Sequence, residues 1–251
     1  MTDAAGIPAD HPRHDSLVTR HRIEAGVEAG ITSQQGLIAQ GRGEAFDYLL
    51  GEQTIPSADR AARAAAAALL DADQPVLSVN GNVAALVPEE IVDLADAVDA
   101  ALEINLFNRG KDRMAAIEAH LREHGATEVK GLTADARIPG LSHERAKVDA
   151  DGIYAADVVL VPLEDGDRAE ALSDMGKTEI VIDLNPLSRS AQVSPIPIVD
   201  NIIRAVPRMT EHAQELRGVS PEKLAAVQRE FDPEETRKTA EAALRDNFGA
   251  P

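Results

Sequence analysis

At 251 residues and 44% apolar composition, the chain can bury one large core or a core with an appendage, and its lack of cysteine excludes disulfides, thiolate metal sites and a thiol nucleophile. A net charge of −18 argues against a general nucleic-acid binder, because phosphate backbones demand a basic face. No apolar run approaches the ~20 residues of a membrane span and the polar N-terminus lacks a signal-peptide core, so a cytoplasmic location is expected.

Residues 1–13 read as a loose arm. Asp15 or Ser16 then caps an expected helix to about residue 29, closed by Gly30. Arg20 and Arg22 stand two apart within it and therefore point to different faces. In residues 36–48, Gly41 and Gly43 leave the backbone permissive on both sides of Arg42, which lets something approach closely or simply forms a helix-entry loop. Phe46 stands where a dinucleotide fingerprint needs its third glycine. Ser57 is expected to cap an alanine-rich helix over 58–70.

An alternating pattern begins after residue 72. Residues 76–79 read as a strand, Asn80-Gly81-Asn82 as a turn, and Pro88 as the first residue of a helix. A second strand is expected at 102–106, a helix at 111–124, and a weaker third strand at 127–130. Residues 131–155 form a long connection, of a length that is usually functional in a compact domain. A fourth strand at 158–161 and a helix capped by Asp165-Gly166-Asp167 follow. Two short β-branched runs, 180–182 and 196–199, end in Asp183-Leu184-Asn185 and Asp200-Asn201, and read as adjacent buried strands delivering polar groups to one sheet edge. Between them, Arg189 flanked by Ser188 and Ser190 suits a phosphate; an ordinary Asx turn is the plainer alternative. Ser220-Pro221 and Asp232-Pro233 start two charged C-terminal helices, read as a packing or dimerisation appendage.

This alternation predicts an α/β fold: a Rossmann-like, doubly wound parallel sheet of about six strands in the order 3-2-1-4-5-6, with N-terminal helices and a helical C-terminal appendage. The expected division is 1–72, 73–215 and 216–251 within one compact domain. The first and fourth strands would meet at the switch point, where Asn80–Asn82 and residues 164–167 face one another. Other signals carry less. Gly176-Lys177-Thr178 ends a helix and enters a strand, the reverse of a P-loop. Glu103, at the second strand, is placed like a ribose-binding acid and keeps a nicotinamide-dependent oxidoreductase as an alternative, although the pyrophosphate cradle is missing. Asp149 and Asp151-Gly152 read as a tight turn in preference to a calcium loop.

The segments HPR (11–13), GLIAQGRGEAFDYLLGE (36–52), SVNGNVAALVP (78–88), LEINLFNR (102–109), RIPGLSHERAKVD (137–149), VVLVPLEDGDRAEAL (158–172), IDLNPLSRSA (182–191) and VDNIIRA (199–205) together resemble the archaeal 4-phosphopantoate–β-alanine ligase (phosphopantothenate synthetase) family. Nothing beyond about residue 215 carries the resemblance. It implies an enzyme that joins 4-phosphopantoate to β-alanine with ATP, giving 4'-phosphopantothenate, AMP and diphosphate on the way to coenzyme A, as a homodimer. It also implies ATP contacts at Arg20, Arg42, Asp183, Leu184, Asn185, Arg189, Ser190, Asn201 and Ile202. The choice of Arg20 over Arg22 rests on the resemblance alone.

Arg20, Arg42 and Arg189 would then clamp the triphosphate, and Asp183 or Asp165 would be candidates for magnesium. The remaining polar positions, Asn80, Asn82, Arg109, His143 and Arg145, are candidates for phosphopantoate and β-alanine. A non-catalytic nucleotide-binding protein is a further alternative. The basic residues divide into 19 Arg and 6 Lys beside only six aromatics. With the high acidity this is the composition of a halophile's salt-rich cytoplasm, where carboxylates stay hydrated and salt screens their repulsion.

Overall fold

The computed structural model describes residues 6–8, 10, 11, 13–162 and 166–246. Three helices come first: α1 (His14–Glu28), α2 (Gln34–Leu50) and α3 (Pro56–Asp71). They are followed by β1 (Pro75–Val79), α4 (Gly81–Leu86), α5 (Pro88–Val98), β2 (Ala101–Ile104) and α6 (Lys111–Glu123). A small hairpin, β3 (Ala136–Arg137) and β4 (Lys147–Val148), precedes β5 (Val158–Pro162), α7 (Gly166–Asp174), β6 (Thr178–Ile182), α8 (Arg189–Val193) and β7 (Ile196–Ile198). The chain ends in α9 (Ile202–Leu216), α10 (Pro221–Glu230) and α11 (Pro233–Asp246).

The main sheet has five parallel strands in the order β2-β1-β5-β6-β7. This is the expected doubly wound order with its outer strand missing. Residues 127–130 lie where that strand was expected but make only one bridge, Glu103 to Lys130. The reason is local: Gly131, at φ +96°, turns the chain under Ile104, and Asp149 Oδ2 takes its N–H at 2.7 Å. The long connection is also more ordered than a loop, since it folds back as the antiparallel β3–β4 pair.

Every residue of β1 and β5 is buried, as expected for parallel strands covered on both faces. Leu77, Leu160, Ile180 and Ile182 point to one face and join a core with α3, α5, α6 and α9. Val76, Val159 and Val161 point to the other, against Ile138, Val148, Ile153 and Leu172. The alternation follows from the two-residue period of a strand, and each fully buried aliphatic side chain contributes ~1.5–3 kcal/mol. The alanines of α3 let it pack closely along α9; Pro56, not Ser57, begins this helix, and Ser57 is wholly buried. The C-terminal helices pack on the body: α10 lies on α3, and Ala240 of α11 meets Phe46, Leu50 and Val199.

Residues 36–48 are not a loop. They form the middle of α2, despite glycine's cost of ~1 kcal/mol in a helix interior. Gly43 is used for close approach: a Cβ there would stand 3.2 Å from the side-chain Nδ2 of Asn201. At Gly36 a Cβ would collide with the side chains of Asn82 and Thr32. The glycines therefore let α2 lie directly across the carboxyl ends of the strands.

Candidate functional site

Two recesses open where α2 crosses this edge. The first is narrow, its roughly 410 Å³ of empty space counting the open solvent at its mouth; it lies at the ends of β6 and β7 and is bounded by Gly43, Leu184, Asn201, Ile202 and Ile203. The second is a cleft of about 780 Å³, including its open mouth, over the ends of β1 and β2. Arg42, Arg113 and Arg145 line this cleft, and among the described residues no carboxylate does. Ala39 and Asn82 border both spaces, so they are neighbours.

The DLN turn is held by its own side chains. Asp183 accepts from the Asn185 N–H at 3.0 Å and from the Ser188 hydroxyl at 2.6 Å, and Asn185 accepts from the Leu187 N–H at 3.0 Å. Ser188 caps α8 by accepting from the Ala191 N–H at 3.1 Å. The Asx turn foreseen as the plainer reading of Asp183 is present, and it leaves that carboxylate's two oxygens engaged within the turn. Asp165 lies outside the described residues. No group of three or more metal-ligating side chains occurs among the described residues. Leu184 lines the first recess, and Ser190 is buried.

Asn201 caps α9, accepting from the Ile203 N–H at 3.4 Å, and donates to Asp47 at 2.9 Å. Behind it runs a network that the sequence reading missed. Arg204 donates to Asp47 at 2.6 Å and to Asp200 at 2.8 Å, while the Thr54 hydroxyl donates to Asp200 at 2.6 Å. Burial pushes the Asp200 carboxyl up, against the pull of Arg204 and Thr54. The Arg204 guanidinium, although desolvated, is held above its ordinary value by Asp47 and Asp200. The network ties α2, the segment before α3 and the start of α9 into one support for Asn201.

The three arginines assigned to a triphosphate are differently placed. Arg20 reaches Glu44 on α2, which also accepts from Ser16 at 2.8 Å, Arg13 at 2.8 Å and Tyr48 at 3.0 Å. Burial raises the Glu44 carboxyl, but these donors prevail and hold it at about 2. Glu44 also raises Arg20 above its ordinary value. Arg22, on another face as its spacing requires, donates to the Leu86 carbonyl at 2.7 Å. Arg189 lies across Gly166 and pairs with Asp167 and, at 3.3 Å, with Glu170. Arg42 makes no ion pair with any described residue and faces the arginine cleft.

Several substrate-site candidates prove to be braces. Asn80 accepts from the N–H groups of Asn82 and Val83 and donates to the Pro162 carbonyl at 3.0 Å, joining β1 to β5 at the switch point. Asn82 accepts from Thr32 at 2.6 Å and donates to the Gly36 carbonyl at 3.0 Å. Both border the cleft, yet their polar atoms serve the fold. Arg109 turns to the carbonyls of Gly131 and Leu132 and does not line the cleft. His143 stacks on Phe107, itself a lining residue, at 5.5 Å between ring centroids. Arg145 lines the cleft. Arg113, not singled out from the sequence, stands beside it from the first turn of α6.

Glu103 has no room for a ribose. It is fully buried and accepts from the N–H groups of Asp149 at 3.0 Å and Ile153 at 2.6 Å, and burial pushes its carboxyl up to about 7. Asp149 to Gly152 form the tight turn that it holds. Lys177 likewise donates to the carbonyls of Tyr154 and Ala156 at 2.8 and 2.6 Å, a brace in place of a phosphate contact.

A Rossmann-like parallel sheet with two adjoining recesses on its carboxyl edge, one of them arginine-lined in an acidic chain, defines a protein that brings anionic small molecules together. The chain belongs to the phosphopantothenate/pantothenate synthetase family, whose model matches residues 57–247. It is similar to the 4-phosphopantoate–β-alanine ligase of Thermococcus onnurineus, at 57% identity covering 96% of this chain and 93% of the relative. The protein of the same name from Methanosarcina mazei is 53% identical, covering 99% of this chain and 96% of that one. No described helix is long and apolar enough to cross a membrane.

Proposed function

We propose that this chain is an ATP-dependent ligase that joins 4-phosphopantoate to β-alanine, yielding 4'-phosphopantothenate, AMP and diphosphate on the route to coenzyme A. The observation that carries the reading is the adjacency of the two recesses across α2, since adenylation must place a carboxylate against the α-phosphate of ATP. ATP would lie along the β6 and β7 ends, on Asp183–Asn185, Arg189, Ser190, Asn201 and Ile202, with Arg20 and Arg42 near its phosphates. The phosphopantoate carboxylate attacks the α-phosphorus and diphosphate leaves. The β-alanine amine then attacks the acyl carbon, AMP departs, and the amine gives up a proton. No covalent enzyme nucleophile is needed, so the protein's part is positioning and charge stabilisation. Magnesium would arrive with the nucleotide, since it takes one or two carboxylates, with Asp183 and Asp165 as candidates, beside phosphate oxygens and waters.

The same reading places the protein in the cytoplasm as a homodimer. Leu37, Ile38, Gly41, Ala45 and Tyr48 are exposed and share one face of α2, within an arc of about 100° at 3.6 residues per turn. That face is free to meet a second copy, and light scattering measures the stoichiometry.

Purified protein incubated in high salt with ATP, phosphopantoate and β-alanine should release AMP and diphosphate only when all three are present. Release of ADP, or turnover without β-alanine, would refute the reading. Nucleotide binding without turnover would favour a regulatory protein instead. Arg189→Ala should weaken ATP binding by ~10-fold with the fold intact, as expected for loss of one charge-assisted phosphate contact. Unchanged nucleotide affinity would remove Arg189 from the clamp.

A further inference from the structure

At 5 residues, α8 is far below the ~12–15 at which an isolated helix begins to hold in water, so its shape is imposed from outside. Ser188 imposes the first turn: its hydroxyl accepts from the Ala191 N–H and is itself bonded to Asp183. The last turn has no local means of closure. A helical carbonyl needs the N–H four residues further on. For Ala191 that residue is Pro195, which has no N–H, and for Gln192 it is Ile196, whose N–H goes to the Ser194 hydroxyl at 3.1 Å.

Both carbonyls are met by one side chain from near the end of the chain. Arg237 of α11, half-buried, donates through Nη1 to the Ala191 carbonyl at 3.0 Å and to the Gln192 carbonyl at 2.9 Å. A cation that bonds the last carbonyls of a helix also meets the negative end of its dipole. The other end of the same segment leans on α11 as well. Ala240 belongs to the cluster of Phe46, Leu50 and Val199, and Leu184 and Leu244 pack against that cluster. Arg237, Ala240 and Leu244 are spaced three and four apart and so share one face of α11. That face supports residues 184–193 at both ends.

We infer that Arg237 is a positioning residue for the nucleotide: by closing the last turn of α8 it holds Arg189 and Ser190 in place for the phosphates of ATP. The inference rests on the ligase reading above, which lays ATP on these two residues. It gives the C-terminal helices a task beyond packing. Arg237 does not touch the nucleotide. Its effect is on the fraction of molecules in which α8 is formed, and apparent affinity falls in proportion to that fraction.

Hydrogen exchange and calorimetric titration of the full chain test this separately from turnover. In Arg237→Met the amides of Gln192 and Ser194, which close α8 onto Ser188 and Ser190, should exchange ~10-fold faster, the effect of losing a hydrogen bond to a charged donor. The amides of Arg204 and Ala205 at the head of α9 should exchange as in wild type, whereas a general loosening of the fold speeds both pairs. MgATP affinity, measured well below the melting temperature of each variant, should fall ~10-fold in Arg237→Met. Arg237→Lys, which can reach one carbonyl, should recover part of it, to within ~3-fold of wild type. Unchanged exchange in α8, equal acceleration in α8 and α9, or unaltered MgATP affinity in both variants would overturn the assignment. If wild type binds no MgATP, the inference falls with the ligase reading. If MgATP binds and depends on Arg237 but no AMP forms, the brace stands and the ligase reading alone falls.

Discussion

Arg204→Met is the sharpest test of whether the buried network supports the recess at the ends of β6 and β7. Arg204 bridges Asp47 and Asp200, whose side chains are 8% and 1% exposed. Methionine fills a similar volume but leaves two buried carboxylates facing each other without a cation. Breaking a buried pair costs ~3–5 kcal/mol, and because the Arg204 side chain is itself 18% exposed, the lower end, ~3 kcal/mol, is expected. For a chain of this size that is a drop of about 6–12 °C in Tm. The sign with pH is fixed by Asp200, whose folded-state value is already raised by burial. A raised carboxyl gives stability that is present at low pH and is lost as pH rises through its folded value. Removing Arg204, which opposes that rise, pushes Asp200 higher still, so the deficit should grow with pH. Denaturant melts of wild type and variant between about pH 5 and pH 8 would measure it, with MgATP titration below the melting range. Adding Asp200→Asn should recover part of the loss, because the two residues share one network. A deficit under about 1 kcal/mol, or one that is flat with pH, would refute the reasoning.

Glu103 should give the opposite contrast, a wild-type slope that its substitution removes. Its carboxyl is raised from 4.5 to about 7, so its contribution is complete below the lower value and declines by ~3 kcal/mol as pH rises through the higher one. The stability difference between wild type and Glu103→Gln should therefore vary over that window, and a constant difference from about pH 5 to pH 8 would contradict the assignment. On α2, Gly36→Ala forces a methyl against the bonded Thr32–Asn82 pair and should cost ~1–2 kcal/mol net of the helix-propensity gain, whereas Gly41→Ala meets open space and should stabilise by up to ~1 kcal/mol. Paired thermal melts decide it, and equal effects at the two positions would sink the close-packing account.

The short β-branched runs were legible because a parallel strand covered on both faces must be apolar at every position, and the turn residues after them are equally plain. Pro88 as a first helical residue and Asn201 at the head of a helix could be read from local backbone chemistry. The site was legible only in part. Asp183, Asn80 and Asn82 were correctly placed at strand ends, but a polar side chain at a strand end has two uses, to face a ligand or to satisfy the backbone as it leaves the sheet. Which applies depends on neighbours distant in sequence, such as Pro162 for Asn80 and Thr32 for Asn82.

The sequence by itself determined the buried parallel strands and the edge on which polar groups gather, since both follow from periodicity and the alternation of strands with helices. Tertiary structure decided that residues 36–48 are helical and lie across that edge, because two glycines unfavourable to a helix in isolation are stabilised by close packing on Asn82 and Asn201. It also decided that Arg42, Arg113 and Arg145, separated by long stretches of chain, share one cleft. Charge convergence of that kind arises only when the helices are packed, since local sequence carries no record of which side chains will face each other across a groove.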